Sequence, residues 1–479
     1  MHKIVLLLII LNTIWSIVVV FRRRRSISTN WGWLVVLIAL PIVGTILYSF
    51  LGRGLSQKKL FAINKQKHIG LRNVKKTIQK SPKESSPNDT SHDAQMLTKL
   101  LNKLGDAPLT KNNDVKFYTD GPAMFADLFK DIEDAQETVN LEFYSFYKDD
   151  LGNQLLDLLI KKAEAGVKIR LIYDVWGSLG ANRRWFNKLR RAGGQVIPFI
   201  TSRNSFTRYR FNYHLHRKIV VIDGKISWTG GFNVGDQYVG KKKRYGYWRD
   251  SQIRIVGSAS LVLQERFVMD WNASVTSNND VITFNETLFP VLSQKYGNTA
   301  LQVVNDGPDV FDPNLRNGMI KLMMSATKRL WIQTPYLVPD SALIATWQIA
   351  AKSGVDVRIM IPCKPDHAFI YRATQWYAHE LARYGITIYT YDPGFLHAKT
   401  VIVDDKYATI GSVNQDIRSY HLNFEDNVFV YDREFNKKMA EAFANDLKTS
   451  TKLTIKDFEN QPYHLKIMQA ISRMLAPIL

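Results

Sequence analysis

The sequence predicts an α/β protein of two homologous halves, preceded by an N-terminal hairpin of two apolar helices. Three observations support this architecture. A pattern of the form H-x-K-x4-D-x6-G-[GS]-x-N occurs twice, and His397 of the second copy lies 181 residues after His216 of the first. Short β-branched runs alternate with helical patterns in both halves, and two apolar segments precede them. A repeat at this separation indicates two related units that pack together.

The N-terminal part of the chain contains two apolar runs, at residues 4–21 and 31–51. Each is close to the ~20 residues that cross a bilayer as an α-helix. The arginines at residues 22–25 form a polar loop between the runs, and Pro41 is tolerated within a membrane helix. Because no small-residue cleavage site follows the first run, we expect a transmembrane helical hairpin at residues 1–52 rather than a cleaved signal peptide.

Residues 53–110 are expected to form a basic juxtamembrane linker. Residues 53–83 carry ten Lys or Arg and no acid, and residues 81–93 have the composition of a loop or disordered spacer. Basic residues accumulate on the cytoplasmic side of a membrane. The run therefore predicts a cytoplasmic catalytic part at a bacterial cell membrane, whereas the arginines at residues 22–25 favour the opposite orientation. The run is also expected to contact anionic lipid headgroups.

The remainder divides into a first half at residues 111–290, a second half at residues 291–450 and an amphipathic tail at residues 451–479. Alternating helices and strands indicate βαβ units in both halves. In the first half they are predicted at residues 122–135, 139–143, 152–165 and 167–173, and in the second at helices ending near 326 and 352 and strands at 329–334 and 355–361. The tail is expected to pack on the domain or to lie at the membrane surface.

The repeated motif carries the chemistry. In each copy the histidine and lysine precede a β-branched run, so we expect His216 beside Lys218 and His397 beside Lys399 on one face of a strand. A neutral imidazole can attack phosphorus, and a protonated imidazole can donate to a leaving alkoxide. The lysines are expected to hold the non-bridging phosphate oxygens. The protein itself supplies positive charge, so no metal or cofactor is expected.

The remaining motif positions receive different interpretations. Asn233 and Asn414 are expected to bind the substrate phosphate through their amides. Asp223 and Asp404 complete the motif and count with the catalytic set, although their positions in turns after the strands favour a structural role. His214 shares the strand face of His216 by parity, and we expect it to be packed or solvent-facing.

The doubled motif resembles the phospholipase D superfamily, and its surroundings resemble the bacterial cardiolipin synthases of that superfamily. The resemblance covers nearly the whole chain. It is carried by residues 117–121, 212–213, 246–250, 332–340, 362–367, 393–397, 416–419, 422–425 and 475–479. The chain departs from the family pattern at His214 and Leu215, where Arg-Asn is common, and at Asn305, where a small residue is common.

The resemblance implies a fold, an activity and roles for further residues. The fold is two phospholipase-D-like sandwich halves about a pseudo-twofold axis, with both histidines at one interface. The activity is transfer of a phosphatidyl group between two phosphatidylglycerol molecules, giving cardiolipin and glycerol. Family precedent favours His216 as the nucleophile and His397 as the acid and base, although the motifs alone do not order them. Asp250 and Glu425 are each expected to orient a histidine.

Three other functions remain open at the level of the sequence. A membrane-bound phospholipase would use the same residues with water as the acceptor. A nuclease is compatible with the net charge of +21, although the apolar N-terminus favours lipid over nucleic acid as the partner. A non-catalytic anion-binding protein does not explain two intact motifs. The single cysteine, Cys363, excludes an internal disulfide.

Overall fold

The computed structural model describes residues 2–21, 27–51, 74–78, 91–200, 213–310 and 312–475. The first apolar run forms α1 (His2–Phe21), and the second forms α2 (Ile27–Ala39) and α3 (Pro41–Leu51). The second run divides before Pro41, which lacks a backbone N–H group and favours the first turn of a helix. The arginine loop at residues 22–25 lies outside the described residues.

The N-terminal helices pack as a hairpin. The Asn12 side chain donates a hydrogen bond to the Leu37 carbonyl oxygen at 3.2 Å. Trp33 and Tyr48 meet edge to face at 5.1 Å between ring centroids, in a small apolar cluster that also includes Val20. Among the described residues, no helix combines the length and the apolar character required of a membrane span.

The first half forms a seven-stranded mixed sheet in the order β1-β8-β6-β5-β2-β3-β4. Strands β2, β3 and β4 run parallel, and the other pairings are antiparallel. The strands are β1 (Asn113–Tyr118), β2 (Thr138–Phe143), β3 (Lys168–Tyr173), β4 (Gln195–Pro198), β5 (Ile219–Ile222), β6 (Ile226–Gly230) and β8 (Gln252–Gly257). The connecting helices are α5 (Gly121–Glu133), α6 (Asp150–Glu164), α7 (Arg183–Arg191) and α8 (Ser258–Ser274).

The second half repeats this strand order and adds one antiparallel edge strand, giving β19-β13-β12-β10-β15-β16-β18-β9. The strands are β9 (Leu301–Asp306), β10 (Arg329–Gln333), β12 (Asp356–Pro362), β13 (Thr387–Tyr391), β15 (Thr400–Val403), β16 (Tyr407–Gly411), β18 (Glu425–Val430) and β19 (Ser450–Leu453). The helices are α9 (Asn314–Met323), α10 (Ser341–Lys352), α11 (Ala368–Ala382), α12 (Ile417–His421) and α13 (Arg433–Leu447). The shared order confirms the two α/β halves predicted from the motif repeat.

Two short pairs complete the architecture. Strand β11 (Leu337–Val338) pairs with β17 (Gln415–Asp416) inside the second half, whereas β7 (Tyr247–Arg249) pairs with β14 (Gly394–Leu396) and joins the two halves. The motif strands are buried on both faces. Val220 packs toward the helices of the first half, while Ile219 and Ile402 enter a core shared by the two sheets. Burial on both faces explains the unbroken β-branched runs.

The structure refines the expected domain boundaries. Helix α4 (His92–Gly105) lies within the range assigned to the linker, yet its Leu97 and Leu101 belong to the core of the second half. Helical structure thus begins inside the segment expected to be a spacer, with Ser91 as its N-cap. The rest of the basic run lies outside the described residues, apart from 74–78, which are helical.

The tail expected at residues 451–479 contains a strand and two helices. After β19 it forms α14 (Ile455–Glu459) and α15 (Tyr463–Leu475). Helix α15 packs along α11. Residues 476–479 of the tail lie outside the described residues.

Candidate active site

The two motif histidines lie just before the motif strands rather than within them. Strand β5 begins at Ile219 and β15 at Thr400, one residue after each motif lysine. The two His-x-Lys segments therefore lie directly before the strands on which they were expected. Each histidine instead follows a bridge to the other half, because extended backbone from both halves meets here.

The two bridges are equivalent. Leu215 pairs with Phe424, and the His216 amide donates to the Phe424 carbonyl at 2.9 Å. In the same way Leu396 pairs with Arg249, and the His397 amide donates to the Arg249 carbonyl at 2.7 Å. These reciprocal contacts are those expected of two halves related by a pseudo-twofold axis.

Each imidazole is bound by a carboxylate from the opposite half. His216 Nδ1 lies 2.8 Å from Glu425 Oε2, and His397 Nδ1 lies 2.5 Å from Asp250 Oδ2. Both carboxylates are fully buried. A carboxylate on Nδ1 accepts its proton and leaves Nε2 as the free nitrogen of a neutral ring. The arrangement supplies two imidazoles whose Nε2 atoms are available for chemistry.

The two carboxylates are supported differently, and the difference explains the Gly/Ser variation in the motif. A Cβ atom at Gly231 would lie 1.9 Å from Asp250 Oδ1, so only glycine leaves room for that carboxylate. At the equivalent position, the Ser412 hydroxyl donates to Glu425. Glu425 also accepts from Asn423 Nδ2 at 3.2 Å. Asp250 likewise accepts from the Ser251 amide at 2.8 Å and from Trp248 Nε1 at 3.3 Å. Donors therefore hold both carboxylates, and close packing against Gly231 is added at Asp250.

Burial lowers the pKa of both imidazoles. Burial lowers the pKa of His216 to about 4, against the opposing influence of Glu425. Burial and the charge of Lys399 lower the pKa of His397 below its ordinary value. For Glu425, burial alone would raise the pKa, but His216 and Lys218 lower it. The carboxylates are thus ionised and the rings neutral near pH 7.

The motif lysines are buried beside the histidine backbones. The ammonium group of Lys218 donates to the carbonyl oxygen of His216, and that of Lys399 donates to the carbonyl oxygen of His397. Burial lowers the pKa of Lys218 to about 7 and that of Lys399 to about 8. The lysines therefore place positive charge immediately behind the two rings.

The two histidines open into one cavity of about 530 Å³ between the halves. Asn233 and Asn414 also line it, whereas the residues along its wall do not include the motif lysines. Much of the wall is aromatic or apolar. These residues are Tyr144, Tyr147, Tyr238, Tyr245, Trp248, Tyr336, Val338, Phe369, Ile370 and Ala373. The cavity combines a polar centre with walls suited to an apolar ligand.

The two asparagines have unequal surroundings. Asn233 accepts from the Ser145 amide at 2.9 Å and donates to the Tyr238 hydroxyl at 3.0 Å, so its side chain is held at both ends. Asn414 Oδ1 is buried without a hydrogen-bond partner. The Asn414 side chain is hydrogen-bonded to Asp416, so its amide oxygen is the atom without a partner at the cavity wall.

The motif aspartates lie at the far ends of the motif strands, away from the cavity wall. Asp223 accepts from the backbone N–H groups of Gln136, Glu137 and Thr138 at 2.7–2.9 Å. Asp404 accepts from Thr327, Lys328 and Arg329 in the same way. Both adopt positive φ, at 50° and 52°. This geometry supports the structural interpretation of these residues over the catalytic one.

Sequence reasoning missed three side chains near the histidines. His214, expected to be packed or solvent-facing, lines the cavity, and its Nδ1 lies 3.6 Å from Asp174 Oδ2. The buried cation of Arg418 also lines it. Arg217, at the variable position of the motif, donates to the Glu425 carbonyl at 3.0 Å. The sequence offered one signal for Arg217, which is its place between the motif residues His216 and Lys218.

Among the residues that the structure describes, no group of three or more His, Cys, Asp or Glu side chains is arranged to hold a metal ion.

The fold and the shared histidine cavity define a phospholipase-D-like protein. A family model of the cardiolipin synthase PLD-like domain matches residues 128–261 and 319–447, once in each half. A second model, the phospholipase D–nuclease N-terminal segment, matches residues 10–53. The solved structure of phosphatidylserine synthase from Haemophilus influenzae aligns with a TM-score of 0.61 over 80% of this chain and all of its own. At 16% identity this likeness concerns the fold alone.

Relatives that match over the full length identify the family within the phospholipase-D-like class. The chain is 41% identical to cardiolipin synthase of Listeria monocytogenes serotype 4a over 478 residues, covering 99% of this chain and 98% of that protein. It is 41% identical to the major cardiolipin synthase of Bacillus subtilis, with the same coverage. It is 40% identical to the Staphylococcus aureus cardiolipin synthase, covering 98% and 95%. The chain belongs to the cardiolipin synthase family, which confirms the predicted family and enzyme class.

Proposed function

We propose that this chain is a cardiolipin synthase that transfers a phosphatidyl group from one phosphatidylglycerol to another through a phosphatidyl-histidine. One observation carries the proposal. Two neutral imidazoles from different halves open into the same cavity, and each is bound at Nδ1 by a buried carboxylate of the other half. Double-displacement chemistry needs two such groups, one to bond to phosphorus and one to move protons.

In the first step, Nε2 of His216 attacks the phosphorus of the donor lipid. The bond between phosphorus and the headgroup oxygen breaks, and His397, protonated in the bound complex, gives its proton to that oxygen. Glycerol then leaves. The anionic phosphodiester raises the proton affinity of the neighbouring imidazole, so His397 can act as an acid although burial lowers its pKa.

In the second step, a hydroxyl of the acceptor lipid attacks the same phosphorus. His397, now neutral, accepts the hydroxyl proton, the bond from phosphorus to Nε2 of His216 breaks, and cardiolipin is released. Glu425 stabilises the positive charge that His216 carries in the intermediate, and Asp250 does the same for protonated His397.

Four groups support the phosphate in this proposal. Lys218 and Lys399 stabilise its negative charge from behind the rings, and the amides of Asn233 and Asn414 contact its non-bridging oxygens. Arg418, which lines the cavity, adds a further cation. The aromatic and apolar walls accommodate the acyl-bearing part of a lipid better than the polar backbone of a nucleic acid.

We propose the membrane arrangement on separate grounds. The packed helices α1 to α3 and the family match at residues 10–53 support an N-terminal transmembrane hairpin at residues 1–52. The ten basic residues at 53–83 support a cytoplasmic position for the two halves, proposed at residues 111–290 and 291–450. Anionic lipids are the partners in this proposal, both as substrate and as surroundings.

The test uses the full chain in detergent micelles with phosphatidylglycerol that is radiolabelled in the headgroup glycerol and, separately, in the acyl chains. Transfer predicts cardiolipin and free glycerol in equal amounts, and excess glycerol should reverse the reaction. Phosphatidic acid in place of cardiolipin would identify a hydrolase and contradict the proposal. Cleavage of single-stranded DNA without lipid turnover would point to a nuclease. The matched control is the double variant His216→Ala, His397→Ala.

A further inference from the structure

Helix α15 has an inverted distribution of polar and apolar side chains. A surface helix normally turns its apolar residues toward the protein core. Here the residues buried against the domain include Gln469 and Ser472, and Gln469 hydrogen-bonds to Gln375 of α11 at 3.2 Å. The outward residues are mostly apolar, and the exposed His464 lies among them. The apolar ones have exposed fractions between 36% and 79% and are Tyr463, Ile467, Met468, Ile471, Met474 and Leu475. We call this set the outer face of α15.

The outer face is continuous on the helix surface. At 100° per residue its members lie on one side of the helix and the buried Gln469 and Ser472 on another. Lys466 and Arg473 lie together at a third position, where Arg473 also contacts Trp376 of the domain. Helix α15 contains no acidic residue. An exposed apolar row beside cations and without acids matches an anionic bilayer surface, where apolar side chains enter the acyl boundary and basic ones reach the headgroups.

The position of α15 connects this face with the cavity. The helix packs on α11, where the Arg473 guanidinium lies 3.8 Å from the centroid of the Trp376 ring. The N-terminal part of α11 forms the cavity wall through Phe369, Ile370 and Ala373. A surface that holds α15 against lipid therefore holds this side of the cavity close to lipid.

A basic loop stands on the other half, next to the same cavity. Residues 241–244 are three lysines and one arginine, all exposed, and they precede the cavity residues Tyr245 and Trp248. The loop ends at Gly246, beside which lies the ammonium group of Lys364 from the second half. Positive charge from both halves thus borders the cavity, as contact with an anionic bilayer requires.

We propose that the outer face of α15, together with the basic loop at residues 241–244, docks on an anionic lipid bilayer and presents the cavity to it. The proposal rests on the lipid-transfer function proposed above. It differs from the N-terminal anchor, because an anchor retains the enzyme at the membrane whereas this surface orients the catalytic halves.

The first test measures membrane depth and needs no turnover. Cys363 is the single cysteine, so a Cys363→Ser background allows one nitroxide label at Ile471→Cys in the full chain. The control label is at Lys437→Cys on α13, where the side chain is 72% exposed. In vesicles containing phosphatidylglycerol, the label at 471 should collide with oxygen more than with an aqueous nickel chelate, and the control should show the reverse. Equal access of the nickel chelate to both labels would overturn the proposal.

The second test separates docking from chemistry. The double variant Ile467→Gln, Ile471→Gln should turn over short-chain phosphatidylglycerol in micelles at the wild-type rate and lose about tenfold in rate on vesicles, since two exposed isoleucines lose their lipid contacts. Equal loss in micelles and vesicles, or no loss in either, would contradict docking.

If wild-type enzyme makes no cardiolipin in micelles, the proposed function fails while the depth measurement still reports on docking. A defined distance between two labels at 471 in vesicles without anionic lipid would assign the face to a second copy and overturn the proposal.

Discussion

His216 of the first half and Glu425 of the second are joined by a contact of 2.8 Å between Nδ1 and Oε2. In the equivalent pair the histidine, His397, comes from the second half and the carboxylate, Asp250, comes from the first. Neither motif histidine has its Nδ1-binding carboxylate in its own half. The site therefore exists only when both halves are folded and packed together.

Glu425→Gln should lower kcat by about 100- to 10,000-fold with a smaller effect on KM, because the amide keeps the ring near its position but cannot stabilise the imidazolium. The negative charge of Glu425 raises the pKa of His216, so its removal should lower that pKa further. The acid limb of kcat/KM should then move to lower pH, measured with micellar phosphatidylglycerol. Partial rescue by Glu425→Asp is the control, and an unchanged kcat would show that the contact plays no part in the reaction.

Lys218→Met should shift the pKa of His216 in the opposite direction, which is upward. Burial is the main cause of the low pKa of His216, and the charge of Lys218 contributes to it. Without that charge the pKa rises, so the fraction of neutral, attacking imidazole falls at a higher pH than in the wild type. We expect the acid limb of kcat/KM to move up and the maximal rate to fall about 100- to 1000-fold.

Comparing the Glu425 and Lys218 variants tests more directly than either variant alone whether His216 sets the acid limb of kcat/KM. Shifts of the acid limb in opposite directions are expected. A shift in the same direction for both variants would mean that His216 does not set the limb.

Gly231→Ala should be far more damaging than Ser412→Ala, although the two positions are equivalent in the repeat. A Cβ at Gly231 would lie 1.9 Å from Asp250 Oδ1 and would displace the carboxylate that binds His397. Ser412→Ala removes only one donor to Glu425, which keeps Asn423 and His216 as partners. Steady-state kinetics with thermal unfolding as a folding control would measure this, and equal losses would contradict the steric argument.

Asp404→Asn should reduce stability while leaving the activity of the folded enzyme intact. Burial alone would raise the pKa of Asp404, but hydrogen bonds from Arg329, Lys328 and Thr327 lower it. A lowered folded-state pKa stabilises the protein above the unfolded-state pKa, and this contribution disappears as pH falls through the folded-state pKa. The variant should have a lower Tm at pH 7, with a difference from wild type that shrinks in acid.

The Asp404 result separates a structural from a catalytic aspartate. A fall in kcat for correctly folded Asp404→Asn would restore the catalytic interpretation. Asp223→Asn, at the equivalent position of the first half, serves as the independent replicate.

The sequence predicted the parts of the molecule that depend on local pattern. The two spaced motifs predicted the two halves, and the β-branched runs predicted the buried strands that contain Val220 and Ile402. It did not reveal that Glu425 serves His216 while Asp250 serves His397, because this exchange depends on how two distant segments pack. The same reason applies to His214, whose neighbour Asp174 lies 40 residues away in the chain. The sequence did not predict that the apolar face of α15 points outward, because the spacing of apolar residues does not show which face of a helix packs on the protein.

The central claim is that His216 bonds to phosphorus while His397 moves protons. The most direct measurement traps the adduct from a phosphatidyl ester of p-nitrophenol, whose leaving group needs no acid. In His397→Ala, mass spectrometry after tryptic digestion should find the phosphatidyl group on the peptide of residues 211–217, and fragmentation of that peptide should place it on His216 and not on His214. The mirror variant, His216→Ala, should give no adduct. An adduct on His397 in the mirror variant, with none on His216 in the first, would contradict the account.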